Sequence, residues 1–408
     1  MKSASTWALG ALAIGVFTFT FGCGGGHQKA QDAGTSDATP TNDDGRAGDA
    51  APLKDAARGD ASDGDAGCAP ACAANQTCVL GACQATPAQM AAMPGCGAAH
   101  LVVGGGTLYW TERATGAVKS LATTSPGGAP TLVASGQSMP GVLAVDDTNV
   151  YWANDGDKSL EKAPVAGGAP VPLPATPDLV SGVVANGGTL YYGAGASTYK
   201  LAPGGTTPTT LMSFASCKAS HTGAIALDAD YLYQTDYINL FLSRERNDGT
   251  QSVTSPCSTD AAVPPQIAAP TTISHSQGEL FQGALDVVDG ELVWADNSNL
   301  YGKPVDGTTS TGAPTLATTA NAGVVTGFIV RGSNIYIGES GVNEGTGDTI
   351  EVAPLDPGDA GTGIATIIAT TSGTVSDLAT DATHVYWVVT SSAPDGGAAA
   401  CAIMSLAQ

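Results

Sequence analysis

Histidine is the scarcest chemically versatile residue in this chain of 408 residues, with five copies. Three of them, His100, His221 and His275, each stand shortly before an apolar run such as Leu101-Val102-Val103 or Ala224-Ile225-Ala226. Imidazoles converging on one point could hold a divalent metal. An imidazole beside a carboxylate could move protons near neutral pH. His100 and His221, with Glu279 as the carboxylate, are the candidates for that chemistry. The plainer expectation is that all three histidines are loop residues, His275 being several positions away from its run. No catalytic residue, metal or cofactor is therefore assigned. His27 and His384 lie elsewhere, one in a polar stretch and one in a turn. A second set is acidic: Asp146, Asp147, Asp228, Asp289 and Asp381 recur in one kind of turn. Carboxylates in turns can bind calcium. Aspartate also favours turns because its side chain bonds the backbone just ahead, and that role is expected here. Tyr237 and Phe241 are the candidate exposed aromatics for binding. His-Glu-x-x-His, Gly-x-Ser-x-Gly and a phosphate-cradling glycine loop are all missing.

The charge balance narrows the partners. Acids outnumber bases 37 to 15, for a net charge of −22. Phosphate backbones need clustered Lys and Arg, so nucleic acid is excluded as a partner. Adhesion to anionic lipid is disfavoured for the same reason. Hydrophobic residues make up 43% of the chain, which suffices for a sizeable core.

Residues 1–22 read as a signal peptide: Lys2, then an apolar run from Trp7 to Phe21, shorter than the roughly 20 residues of a membrane span. The run ends in Thr20-Phe21-Gly22-Cys23, followed by three glycines. This resembles the processing site of bacterial lipoproteins, which implies lipid attachment at Cys23, departing from it at Thr20 and Phe21. Gly24 in place of Asp implies outer-membrane sorting. Residues 24–67 hold nine Asp and no aromatic residue. They cannot bury enough apolar surface to offset ordering entropy, so residues 23–67 form a lipidated, disordered tether.

Four cysteines follow within 68–83, in "CAPACAANQTCVLGAC". In an exported chain this is a disulfide framework rather than a zinc site, with three pairings open. The stretch loosely resembles an EGF-like fragment, and that resemblance implies Cys68–Cys78 and Cys72–Cys83.

From residue 84 the chain repeats a phrase: "GGGTLYWTE", "DDTNVYWAN", "NGGTLYYGA", "DADYLYQTD", "VDGELVWAD", "RGSNIYIGE" and "DATHVYWVV". Aligned on Trp110, Trp152, Tyr192, Tyr233, Trp294, Tyr336 and Trp387, the period is near 42. Each copy has short β-branched or aromatic runs separated by Gly, Asn and Asp turns. Four such strands, seven times over, predict an all-β, seven-bladed β-propeller across residues 84–408. The phrases Leu108-Tyr109-Trp110-Thr111-Glu112, Leu232-Tyr233-Gln234-Thr235-Asp236 and Leu292-Val293-Trp294-Ala295-Asp296 resemble the YWTD repeats of lipoprotein-receptor propellers. That family has six blades and keeps the Asp, whereas seven copies are counted here and the Asp stands in two. The whole chain is more similar to uncharacterised bacterial surface lipoproteins.

With strands lettered a to d from the axis outward, the d–a and b–c loops share one face. The last copy ends at Gln408 without an outer strand, so residues near Ala88–Met93 should supply it. Cys96 and Cys401 then meet on that face, as do Cys217 and Cys257 in successive d–a loops. Nine cysteines less Cys23 leave eight, enough for four disulfides. The expected function is noncatalytic binding or scaffolding at the cell envelope, with an envelope protein or glycan as partner and membrane contact through the lipid alone. The competing expectations are two. One is a metal-assisted lyase of the kind built on seven-bladed propellers, with its site at the central mouth. The other is a structural protein without a discrete ligand.

Overall fold

The computed structural model describes residues 68, 71–73, 76–79, 82–93, 100–213, 222–236, 241–250, 285–288, 290–296, 298–305, 315–320, 323–340, 348–356, 363–371, 373–391 and 400–408. Cys23 and the tether, Cys96, Cys217, His221, Tyr237, Cys257, His275, Glu279 and Asp289 lie outside them, as does the side chain of Phe241.

A hairpin of β1 (Gln76–Val79) and β2 (Ala82–Ala85) precedes β3 (Ala88–Met93). Cys68 is bonded to Cys78 and Cys72 to Cys83, so two disulfides hold a piece too small for a core of its own. Antiparallel sheets then follow in order. Blade one is β4 (Leu101–Gly104), β5 (Thr107–Glu112), β6 (Ala117–Ala122) and β7 (Thr131–Ala134). Blade two is β8 (Pro140–Val145), β9 (Asn149–Asn154), β10 (Ser159–Pro164) and β11 (Val171–Pro172). Blade three is β12 (Val180–Asn186), β13 (Thr189–Ala194), β14 (Ser197–Leu201) and β15 (Thr209–Ser213). Blade four shows β16 (Thr222–Leu227), β17 (Tyr231–Asp236) and β18 (Phe241–Arg246) among the described residues. Blade five is β19 (Leu285–Val288), β20 (Glu291–Asp296), β21 (Asn299–Pro304) and β22 (Thr315–Thr318). Blade six begins with β23 (Val324–Arg331), β24 (Asn334–Ser340) and β25 (Thr349–Pro354). Its chain then sends β26 (Gly363–Ile364) to pair parallel with β22 of blade five before closing with β27 (Thr366–Thr370). Blade seven is β28 (Thr374–Thr380), β29 (His384–Ser391) and β30 (Ala400–Ala407).

The outer strand of blade seven is β3. It pairs antiparallel with β30, from Ala88↔Ser405 to Met93↔Cys401. A strand that precedes blade one thus completes blade seven. The innermost strands β4, β8, β12, β16, β19, β23 and β28 touch in sequence, and β28 touches β4, so the ring is closed. Cys401, at the end of this closure, is itself disulfide-bonded.

The core lies between blades. Trp110, Trp152, Tyr192, Tyr233, Tyr386 and Trp387 are all fully buried. Each apolar cluster joins residues of neighbouring sheets, as where Tyr109 and Val118 of blade one pack on Leu143, Val150 and Trp152 of blade two. The turn aspartates play the structural part expected of them. Asp146 Oδ1 accepts the N–H groups of Thr148 and Asn149, both at 2.8 Å, and its Oδ2 accepts the Tyr151 hydroxyl at 3.1 Å. Asp228 with Tyr233 and Asp381 with Tyr386 repeat the device.

That device corrects the alignment of the fourth copy. Tyr233 stands where Tyr151 and Tyr386 do, not in the place of Trp110. Gln234 takes that place, opposite Ile225 as Trp110 is opposite Leu101. In the sixth copy Ile337 does so, opposite Phe328. The sequence offers Tyr231-Leu232-Tyr233, and the second tyrosine sits one position early relative to the tryptophans.

Candidate functional site

Loops at the d–a and b–c end surround the mouth of the ring. The residue just before the a-strand partner of each "Trp" position defines one level of that mouth. It is His100 in blade one, Val142 in two, Gly182 in three, Ala224 in four, Gly327 in six and Asp377 in seven. Among the described residues, polar side chains at this level occur only in blades seven and one, which are neighbours across the closure.

His100 Nδ1 lies 3.5 Å from Asp377 Oδ2, and the imidazole is half-exposed at 43%. Asp377 Oδ2 accepts the Leu101 N–H at 2.9 Å, and its Oδ1 accepts the Leu378 N–H at 2.8 Å. One carboxylate therefore joins two blades through backbone and orients the histidine. The backbone of His100 is fixed in turn, since its N–H donates to Thr111 Oγ1 at 3.2 Å. Thr111 Oγ1 donates onward to Gly141 O at 2.9 Å, reaching blade two. Burial works against protonating His100, but the hydrogen bond to Asp377 and the Asp377 charge outweigh it, with help from Asp155 and opposition from Arg113. The net effect holds its pKa above the ordinary imidazole value.

Beside this pair, Arg113 at the end of β5 forms an ion pair with Asp155 at the end of β9. Asp155 folds over the start of β8, where a Cβ at Gly141 would come within 3.1 Å of its Oδ1. A larger residue there would have to push the Asp155 carboxylate aside by a few tenths of an ångström. Further round, Lys158 Nζ meets Asp178 Oδ1 at 2.9 Å, and the Ser181 and Thr222 hydroxyls lie 2.9 Å apart.

Of the residues singled out from sequence, His100 stands at this mouth. His221 and Glu279 lie outside the described residues, as does Tyr237, and of Phe241 only the backbone is placed, at the first position of β18. Asp377 and Arg113 escaped sequence reasoning. Asp377 sits inside an apolar alternation 277 positions from His100, and only the closure of the ring brings them together. Among the described residues, the sole cluster of metal-ligand types is Cys68, Cys72 and Cys83, whose sulfurs are held in disulfides.

The chain matches no protein-family model and no curated protein. Solved structures do match it. A streptogramin B lyase is 16% identical, covering 79% of this chain and 97% of its own, with a TM-score of 0.56. A virginiamycin B lyase from Staphylococcus aureus is 12% identical over 74% of this chain and 93% of its own, TM-score 0.54. A catalytically inactive variant of the S. aureus enzyme, with quinupristin, gives 13%, 78%, 94% and 0.53. At these identities the likeness is one of fold.

Proposed function

We propose that this chain is a noncatalytic binding propeller of the cell envelope, exported, lipid-anchored through Cys23 and presenting its d–a/b–c mouth to a protein or glycan. The observation that carries this is the engagement of the mouth's carboxylates. Both oxygens of Asp377 hold backbone amides, and Asp155 is neutralised by Arg113. Each carboxylate is already committed to a structural contact, which disfavours either as a free general base. What remains is a rigid, mixed-charge rim on a closed ring, suited to holding a partner's polar groups. Photo-cross-linking tests it, with the full chain carrying a photoreactive residue at Asp178 and incubated with native envelope. The expected result is one dominant adduct, lost in the Arg113→Ala/His100→Ala double variant. Labelling that is diffuse, or the same in that variant, would count against a specific mouth.

A second reading has its own observation. His100, oriented by Asp377 with a raised pKa, could serve as a proton donor at the mouth, and the fold is shared with streptogramin B lyases. It predicts turnover of virginiamycin B by the full chain that disappears in His100→Gln.

A further inference from the structure

Opposite the b-strand tyrosine of a blade stands one c-strand residue. In blades two, three and four it is Lys162, Lys200 and Arg244, opposite Tyr151, Tyr191 and Tyr233. Each of these cations lies over a tyrosine ring of its own blade. Lys162 Nζ is 5.9 Å from the centroid of Tyr151, Lys200 Nζ 5.7 Å from that of Tyr191, and the Arg244 guanidinium 4.6 Å from that of Tyr231. Two of them also cross to the next blade. Lys200 Nζ donates to Asn247 O at 2.9 Å, and Arg244 Nη1 donates to Val305 O. Asn247 and Val305 hold one structural place. Each directly follows a c strand and donates its N–H to the a–b turn, to Asp230 O and Gly290 O respectively.

Blade one departs from this pattern. Opposite Tyr109 stands Ser120, and opposite Ser120 stands Thr131. Beside this row of short hydroxyl side chains a groove of about 540 Å³ opens toward blade two, whose Pro164 and Val165 form its far wall. Val165 is the counterpart of Asn247 and Val305: it directly follows β10, and its N–H donates to Thr148 O at 3.0 Å. Among the described residues, no N–H or O–H donates to the Val165 carbonyl. Leu132, 56% exposed, adds an aliphatic wall. No lining residue is charged. A short residue alone does not open such a space. Blade seven has Ser405 opposite Tyr386, but there Met90 packs with Tyr386.

We propose that this groove between blades one and two is a binding site for an aliphatic ammonium group, as carried by a lysine side chain or a free alkylamine. The sister blades supply the same kind of group from their own chains. The ammonium donates to Val165 O as Lys200 does to Asn247 O, and the Ser120 and Thr131 hydroxyls offer further oxygen acceptors. Its hydrocarbon stem lies on Leu132 and Pro164. Thr131 and Gly167 of the wall are exposed, so the ion keeps part of its water and avoids the cost of full burial. An anion finds no cation to pair with here, whereas the chain's net charge of −22 draws cations to the surface. The volume falls within the range of small-molecule pockets. The groove lies on the side of the c–d turns, away from the His100 mouth, and does not depend on what binds there.

The test uses the full chain labelled with ¹³C in its tyrosine rings, followed by NMR at constant ionic strength, with n-butylammonium as the probe. The Tyr109 resonance, identified by its loss in Tyr109→Phe, should shift saturably on titration while that of Tyr191 stays put. Butan-1-ol, of the same length but uncharged, should bind at least about tenfold more weakly, as expected for a hydrogen bond from a charged donor. Ser120→Lys, which supplies the cation from the chain itself, should abolish the response. Lys200→Ser should do the reverse in blade three and make Tyr191 respond to n-butylammonium. No saturable Tyr109 shift, equal binding of the amine and the alcohol, an undiminished response in well-folded Ser120→Lys, or a well-folded Lys200→Ser whose Tyr191 stays unresponsive would overturn the proposal. Nα-acetyl-lysine N-methylamide distinguishes the two sources. Tighter binding than n-butylammonium supports the site as one for a partner's lysine, and weaker binding supports it as one for a free amine.

Discussion

His100 and Asp377 give the mouth a pH dependence of definite sign. Folding raises the His100 pKa, so the stability from its pairing with Asp377 is present below the unfolded value of about 6.5 and is lost as pH rises through the folded value. His100→Gln should therefore lower the melting temperature most near pH 5, the gap to the parent narrowing toward pH 8.5. A gap that is constant across that range would mean the imidazole charge contributes nothing. Blade six holds a second titrating pair. Glu339 and Glu351 are fully buried, and the Thr349 hydroxyl lies 2.9 Å from one carboxyl and 3.0 Å from the other. That hydroxyl has one proton, so a carboxyl must bring another for both contacts to be hydrogen bonds. Burial first, then Glu339, pushes Glu351 up to about 8. For Glu339 burial acts in the same sense, but hydrogen bonds from Glu351, Thr349 and Gly323 outweigh it and hold the group below the usual carboxylate range. The pair thus keeps a single proton at neutral pH. Because Glu351 is raised on folding, stability should fall as pH rises from about 4.5 to about 8, by at most roughly 1.4 kcal/mol per pH unit. Glu351→Gln should flatten that fall in a denaturant titration run at several pH values, and an unchanged slope would place the proton elsewhere.

At the scale of elements, the strands were legible because each copy repeats one alternation of apolar and turn residues. The closure by β3 was legible too, since the seventh copy shows three strands and an unassigned apolar run, Ala88–Met93, precedes the first copy. Two features were not. The parallel addition of β26 to β22 involves only Gly363 and Ile364, too short a run to carry a periodic signal. The Asp377–His100 contact depends on the ring and leaves no local trace. The closing strand makes a direct prediction. Met90 of β3 is 1% exposed and packs with Leu101, Trp110, Tyr386 and Ile403, thereby joining blades seven and one. Met90→Ala should lower unfolding stability by about 2–5 kcal/mol in urea, the usual cost of a cavity left by a large core side chain. A loss under about 0.5 kcal/mol, typical of surface changes, would mean that β3 does not seal the ring.

At the scale of the whole molecule, polar contacts cross every seam of the ring. Thr111 bonds Gly141 across blades one and two, Asp146 bonds Gly188 across two and three, and Thr198 bonds Glu245 across three and four. Arg244 reaches Val305 across four and five, and Asp286 bonds Val330 across five and six. Asp348 bonds Val375 across six and seven, and Asp377 bonds Leu101 across the closure. Apolar packing drives the blades together, and these bonds fix their register, because misplacing one strands a buried donor or acceptor. The same economy leaves Asp377 and Asp155 engaged in structural contacts, which fits the proposed binding role better than catalysis. The most direct measurement is native mass spectrometry of the full chain after incubation with envelope extract, followed by release and identification of what it holds. Binding predicts a ligand recovered chemically unchanged from the parent, and the same unchanged ligand in whatever amount His100→Gln retains. A converted product that forms with the parent and is missing with His100→Gln would contradict it and make the mouth an active site.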